Sequence, residues 1–311
     1  MRVLVALDGS EPSDVARALV GNLAWPPETT VRLITAVPEL FTMFGGGPWM
    51  EVPPSTAPAI EEQVVEQQRA MLAAASAGLE RSGLAVETFV RRGRAATTIV
   101  LEAGEFQPDL VVVGARGHGA WETALLGSVS AEVVDHAPCP VLVARTDTLE
   151  RIVLAEDGSE GAAAARRLIA TWQPVANIPV RIVSVASAMA PLQSGVSPLL
   201  MDEAFEAFGE TLDEAKAHFA EVAQTAAGEL ATAGREVTTE VRVGDPAREI
   251  VAAATEAGAS LIAVGSRGLT GVRRLLLGSV ARNVLHHAAC SVLVVRADIA
   301  DHLQGRDEKD Q

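Results

Sequence analysis

Short apolar runs alternate with segments of helical periodicity along the whole chain. Five apolar runs in the first half predict strands at 2–7, 31–37, 86–91, 109–113 and 140–145. Five more in the second half predict strands near 151–155, 180–185, 236–243, 260–264 and 291–296. Between them, i, i+3, i+4 patterns predict helices at 12–24, 57–82, 95–106 and 128–136, and near 161–171, 203–233, 246–257 and 279–287.

The alternation of strands and helices predicts the fold class. The runs Leu110–Val113 and Val292–Val295 are continuously apolar and rich in valine, as central strands covered on both faces should be. Strand–helix–strand units predict right-handed crossovers and a doubly wound parallel sheet, which is an α/β fold. Two Pro- and Gly-rich loops, at 38–58 and 186–202, have the length of functional lids or mobile segments.

The chain also repeats itself. Segment 3–10 returns as 152–159, segment 111–117 as 262–268, and segment 126–129 as 277–280. The offset is 149 residues from Asp8 to Asp157 and 151 residues in the later segments. A single period of this length indicates two duplicated globular domains and not a solenoid. We predict domains at 1–146 and 151–297, followed by a polar tail at 298–311.

Composition and charge narrow the function. The formal net charge of −15 over 311 residues argues against general binding to nucleic acid or to an anionic membrane. Only Lys216 and Lys309 are lysines, so a phosphate loop of the G-x-x-x-x-G-K-[ST] type is excluded. Any phosphate must be held by backbone N–H groups or arginines.

The two cysteines, Cys139 and Cys290, fall one in each half of the chain. One cysteine in each half predicts two buried thiols and no disulfide framework. The sequence shows no signal peptide and no apolar run long enough to cross a bilayer, which predicts a cytoplasmic protein.

The candidate chemistry follows the fourth predicted strand of each half. Gly114-x-x-Gly117, nine further residues and Gly127-Ser128 lead into a helix, and the second half repeats this spacing with Gly265, Gly268, Gly278 and Ser279. Glycines let a backbone approach an anion closely, and the N–H groups at a helix start attract it. A serine there is also an ordinary N-cap residue. Because the full pattern occurs twice in register, we predict two phosphate-binding loops.

On these residues the chain resembles the universal stress protein family, in the subgroup whose motif G-x2-G-x9-G-[ST] binds ATP. The resemblance covers nearly the whole chain as two tandem domains. It includes Asp8 and Asp157 after the first strand of each copy, and the closing strands around Cys139 and Cys290. It implies two Rossmann-like domains of the adenine nucleotide alpha-hydrolase-like kind.

The resemblance also implies the ligand residues. Asp8 and Asp157 would lie at the adenosine end. The alternative role for each is an Asx-turn or an N-cap before the first helix, which is compatible with ligand binding. The backbones of Val37 and Val185 would meet the adenine. In the first copy the predicted ATP-binding residues are Ala6, Asp8, Val37, Gly114, Arg116, Gly117, Gly127, Ser128 and Val129. In the second copy they are Ala155, Asp157, Val185, Gly265, Arg267, Gly268, Gly278, Ser279 and Val280.

The two copies differ in the charges near the glycine loop. The second copy has Arg273 and Arg274 where the first has Glu122 and Thr123, whereas Arg94 of the first copy aligns with Asp245. Arginines near a triphosphate add charge-assisted hydrogen bonds, although most loop charges are solvated. His118 has no counterpart and is interpreted as a surface residue. We predict that the second site binds nucleotide more tightly.

Three functions compete. The first is an ATP-binding stress or dormancy regulator, with Mg²⁺ brought by the nucleotide. The second is an enzyme such as a slow ATPase, which is disfavoured because no catalytic triad or metal-ligand spacing is found. The third is a structural or interaction protein with degenerate sites. The resemblance further implies that the last strands, 141–145 and 292–296, pair within one molecule, with a homodimer left open and the protein partner unknown.

Overall fold

The computed structural model describes residues 1–38, 57–117, 126–187, 201–268 and 277–297. The two predicted loops lie mostly outside these ranges, and the tail at 298–311 lies wholly outside them. The chain divides into two compact units, with the boundary between Thr148 and Leu149. No helix in the described ranges is both long and apolar enough to span a bilayer.

The first unit is a parallel sheet covered by helices. Its strands lie in the order β3-β2-β1-β4-β5, and every pair of neighbours is parallel. The strands are β1 Arg2–Ala6, β2 Thr30–Val37, β3 Ala85–Arg92, β4 Leu110–Gly114 and β5 Val141–Ala144. The helices are α1 Glu11–Asn22, α2 Ala57–Glu80, α3 Ala95–Phe106 and α4 Ser128–His136.

The second unit repeats this topology. Its strands lie in the order β10-β9-β6-β7-β8, again with parallel neighbours. The strands are β6 Ile152–Ala155, β7 Val180–Ala186, β8 Val237–Val243, β9 Leu261–Gly265 and β10 Ser291–Val295. The helices are α5 Glu160–Thr171, α6 Met201–Thr232, α7 Pro246–Glu256 and α8 Ser279–His287.

The structure confirms the predicted α/β class and its parallel sheets. Every residue of β4, β5 and β10 is buried, as expected for valine-rich strands with helices on both faces. Each predicted strand and helix is present, with ends that shift by one or two residues. The short 3₁₀ helix Gln173–Val175, which contains Pro174, was not predicted.

The strand order places a crevice in each unit. The first and fourth strands are neighbours, and the chain winds outward from them in opposite directions. Ala6 pairs with Val113 at the ends of β1 and β4, and Leu154 pairs with Ala263 in β6 and β9. The loops that follow therefore leave the sheet side by side at its carboxyl edge. This is the position at which open α/β sheets bind ligands.

Candidate functional site

A cavity opens at this edge of each unit. The cavity of the first unit has a volume of about 360 Å³, and the cavity of the second has a volume of about 470 Å³. Both volumes fall in the range of small-molecule sites, about 300–1,000 Å³. The structure therefore places a ligand-sized space in each unit at the edge that the topology marks.

Most predicted site residues line these two cavities. In the first unit the lining includes Ala6, Asp8, Gly114, Arg116, Gly117, Gly127, Ser128 and Val129. In the second unit it includes Ala155, Asp157, Val185, Gly265, Arg267, Gly268, Gly278, Ser279 and Val280. Residues from the first strand, the fourth strand and the last helix of each unit are thus brought together.

Val37 is the one predicted residue that does not line its cavity. Its carbonyl accepts a hydrogen bond from the Gly93 N–H at 3.0 Å, and the same bond in the second unit joins Gly244 to Ala186. Val37 therefore corresponds to Ala186, whereas Val185 corresponds to Ala36, which does line the first cavity. Side chains alternate along a strand, so this shift of one residue turns Val37 away from the cavity.

The two aspartates form the same turn in both units. Asp8 Oδ1 accepts hydrogen bonds from the Ser10 N–H at 3.0 Å and from its hydroxyl at 2.5 Å. Asp157 Oδ1 accepts from the Ser159 N–H at 3.0 Å. These are Asx-turns, which hold each aspartate at the entrance to the first helix of its unit. The Asx-turn alternative is therefore realised in both copies.

The second carboxylate oxygen of each aspartate explains the second glycine of the motif. An alanine Cβ at position 268 would lie 2.5 Å from Asp157 Oδ2, and a Cβ at position 117 would contact Asp8 Oδ2. A side chain at either glycine would displace the carboxylate. The glycine loop and the aspartate are therefore one packed unit.

The first glycine of the motif is required by packing against a helix. A Cβ at Gly114 would lie 2.6 Å from the carbonyl group of Pro12, at the start of α1. A Cβ at Gly265 would lie 2.7 Å from the backbone nitrogen of Ala162, at the start of α5. Only glycine lets the fourth strand and the first helix of a unit approach this closely.

The third glycine precedes a helix whose first N–H groups face the loop. The first hydrogen bonds of α4 and α8 run from Ala131 to Gly127 and from Arg282 to Gly278. The N–H groups of 128–130 and 279–281 precede these ladders and carry the positive end of the helix dipole. The Ser128 and Ser279 side chains are exposed beside them. This arrangement suits an anion.

Gly127 and Gly278 do not need glycine's conformational freedom. Their φ angles are −78° and −63°, which other residues adopt readily. A Cβ would lie 3.3 Å from Arg116 Cα in the first unit and 3.2 Å from the Ser266 carbonyl oxygen in the second. These glycines therefore keep space open in the loop and do not relieve backbone strain.

Glu156 distinguishes the second cavity chemically. Its carboxylate is buried, accepts a hydrogen bond from the Gly158 N–H at 3.0 Å, and pairs with Arg166. Burial raises the pKa of this carboxyl group. The equivalent residue in the first unit is Leu7. The signal for this residue in the sequence is an acidic residue at the end of an apolar strand.

The charge differences predicted to separate the two sites are only partly described. Arg94 forms an ion pair with Glu132 at 3.3 Å and is largely exposed. Asp245 is the N-cap of α7 and accepts from the Arg248 N–H at 2.9 Å. Neither Arg94 nor Asp245 is in the lining of its cavity. The remaining positions of that comparison, Glu122, Thr123, Arg273 and Arg274, and also His118, lie outside the described residues.

Sequence reasoning missed the wall of each cavity that faces the glycine loop. In the second unit this wall includes Phe219 of α6 and Pro246 and Ile250 of α7. In the first unit it includes Ala95 and Ile99 of α3. Nothing in the local sequence separates these apolar residues from residues of the core. Within the described residues, no group of three or more His, Cys, Asp or Glu side chains is arranged to hold a metal ion.

The fold and the site define a class: two doubly wound α/β units in tandem, each with a glycine loop and an Asx-turn aspartate at its cavity. Comparison with known proteins agrees with this class. The sequence profile of the Universal stress protein family matches residues 1–145 and again 148–296. The chain belongs to the universal stress protein family.

Individual relatives match the chain over nearly its whole length. A universal stress protein of Mycolicibacterium smegmatis is 27% identical over 306 residues, covering 94% of this chain and 96% of the relative. One from Mycobacterium bovis is 29% identical over 322 residues, covering 94% and 96%. The crystal structure of a universal stress protein from Archaeoglobus fulgidus is 19% identical and superposes with a TM-score of 0.63, covering 95% of this chain and 98% of that one. That structure supports the fold alone.

Proposed function

We propose that both cavities bind ATP and that the protein is a nucleotide-dependent regulator of stress or dormancy. One observation carries the proposal: in each unit, a helix start preceded by Gly127 or Gly278 faces the same cavity as an aspartate held in an Asx-turn. The N–H groups at the helix start suit phosphates. The aspartate and the apolar wall suit the nucleoside.

The nucleotide would supply the metal. ATP carries Mg²⁺ on its phosphate oxygens, and this ion keeps several of its waters. The residues around the loop fit that role, since Ser128 and Ser279 offer hydroxyl groups and Arg116 and Arg267 line the same cavities. We propose that the protein acts as a regulator in the cytoplasm and not as a dedicated catalyst. Asp157 and Glu156 each accept a hydrogen bond from the backbone of the turn, which supports a structural role for these two carboxylates.

Thermal unfolding with ligand tests the proposal. Millimolar ATP and Mg²⁺ should raise the melting temperature, since a ligand at 100 times its Kd stabilises a protein by about 2.7 kcal/mol. The double variant Gly127→Val and Gly278→Val should keep its fold and lose this shift, because the added side chains fill the loop. Gly104→Val with Gly228→Val is the matched control, since a Cβ at either position meets nothing within 4 Å. A wild-type protein that ATP does not stabilise would contradict the proposal.

Two further measurements separate the alternatives. Mass spectrometry of nucleotide released from the purified protein identifies the natural ligand. Steady ATP turnover that disappears in the loop variant would favour an ATPase over a regulator. The predicted pairing of the last strands also stays a prediction, and light scattering at several concentrations would reveal a homodimer.

A further inference from the structure

Each cavity is lined by a glycine loop of the same pattern. The two cavities differ in the contribution of the long helix of each unit, α2 in the first and α6 in the second. Phe219 of α6 lines the second cavity. The residue of α2 that corresponds to Phe219 is found by aligning the turns at the ends of the two helices. The Leu79 carbonyl accepts a hydrogen bond from the N–H of residue 84, and the Leu230 carbonyl accepts the same bond from the N–H of residue 235. This 151-residue offset makes Gln68 the counterpart of Phe219.

Gln68 is used differently. Its side-chain oxygen accepts a hydrogen bond from the Thr35 hydroxyl at 3.2 Å. It is not in the lining of the first cavity. The first unit therefore ties this helix position to strand β2, whereas the second unit directs an aromatic ring into the ligand space.

The surroundings of Phe219 place it on the apolar side of the cavity. Val222, one helical turn along α6, lies within 3.6 Å of the Cβ position of Gly158, next to Asp157. Val183 and Val185 are alternate residues of β7 and line the same cavity, together with Ile250. The helix start that suits phosphate belongs to the glycine loop and not to this wall.

We propose that Phe219 stacks on the base of the nucleotide and makes the second cavity the tighter and more purine-selective site. This rests on the proposed function. A flat heteroaromatic base buries its faces against apolar and aromatic side chains, and stacking on one aromatic ring changes affinity by about five- to a hundredfold. A purine offers more surface to the ring than a pyrimidine does. The first cavity has the smaller Ala36 where the second has Val185.

Calorimetric titration of the full chain tests the proposal. Phe219→Ala should weaken ATP binding at one of two sites about tenfold and should reduce the preference for ATP over CTP. Binding of inorganic tripolyphosphate, which has no base, should be unchanged. Gln68→Ala is the matched control and should leave the titrations with all three ligands as they are in the wild type.

The variant Phe219→Leu separates the effect of the aromatic ring from a loss of packing. It keeps an apolar side chain of similar size without a ring, so it should melt near the wild type yet still lose part of the preference for ATP over CTP. Equal ATP affinities in the wild type and both Phe219 variants would overturn the role of Phe219 and leave ATP binding standing. An equal loss for ATP and tripolyphosphate would overturn it too. A wild-type chain that binds no ATP would instead end the proposed function.

Discussion

Replacing Gly265 by alanine is expected to destabilise the second unit through a backbone collision. The new Cβ would lie 2.7 Å from the Ala162 nitrogen and 2.7 Å from the Gly161 carbonyl oxygen. Carbon contacts in proteins normally lie at about 3.5–4.0 Å. Both of these atoms belong to the first turn of α5, so no side-chain rotation relieves the overlap, and β9 must move away from the helix.

The magnitude follows from the cost of overpacking. Extra atoms in a tight core cost about 1–3 kcal/mol, and a contact with backbone on a rigid helix belongs at the upper end, about 3 kcal/mol. For a unit of this size, each kcal/mol lowers the melting temperature by about 2–4 °C. We therefore expect Gly265→Ala to lower the melting temperature of the second unit by about 6–12 °C.

Scanning calorimetry without nucleotide measures this shift directly. Gly278→Ala should change the melting temperature far less, because its Cβ meets the Ser266 oxygen at 3.2 Å, which a small adjustment relieves. Gly228→Ala, near the C-terminal end of α6 with open space around it, should raise stability by about 0.5–1 kcal/mol. If Gly265→Ala melts with the wild type, the packing role assigned to the first motif glycine is wrong.

Two other side chains give predictions for the second unit. Burial raises the pKa of Glu156 above its ordinary value of 4.5, so the folded chain holds that proton more tightly than the unfolded chain does. Its contribution to stability is present below pH 4.5 and declines as pH rises through the folded pKa. Glu156→Gln should remove this decline in urea unfolding measured from pH 4.5 to 8, and parallel pH profiles would contradict it. Asp245→Ala should cost about 1 kcal/mol by removing the cap of α7, as measured by urea unfolding. It should leave ATP affinity unchanged in calorimetric titration, and a change in affinity would mean that Asp245 acts on the ligand.

Much of the fold could be predicted because its signals are local. The valine-rich run at 110–113 needs only its own residues to indicate a strand buried on both faces. The repeat of that run near 261–265 showed that the chain contains the same unit twice. The Gly-x-x-Gly spacing after each run also located the loop that lines each cavity.

The register of the ligand wall could not be predicted in the same way. Val37 and Val185 both end predicted strands, but the hydrogen bonds show that their positions differ by one residue. A shift of one residue turns a side chain to the other face of a sheet. An offset of 149 residues, as between Asp8 and Asp157, makes Ala186 the counterpart of Val37. The offset is 151 residues later in the chain, and the sequence alone does not locate the two-residue insertion that causes the change.

The burial of a charged side chain could not be predicted from the sequence either. Arg235 is buried and donates hydrogen bonds to carbonyl groups in the last turn of α5 and just after it, including that of Trp172 at 3.1 Å. Its counterpart in the first unit is Leu84, which makes the same backbone hydrogen bond at the end of the helix but has an apolar side chain. A charged residue after a long helix ordinarily predicts a solvated position. Burial here depends on acceptors that lie more than sixty residues away in sequence.

The sequence by itself determined the two units, their strands and helices, and the chemistry of the glycine loop, because periodicity and a repeat are properties of neighbouring residues. Only the tertiary structure decided which side chains share a cavity with that loop. Phe219 and Gln68 occupy the same helix position, yet one lines a cavity and the other binds Thr35. That choice depends on how a helix packs against a strand far from it in the chain, which no local pattern records.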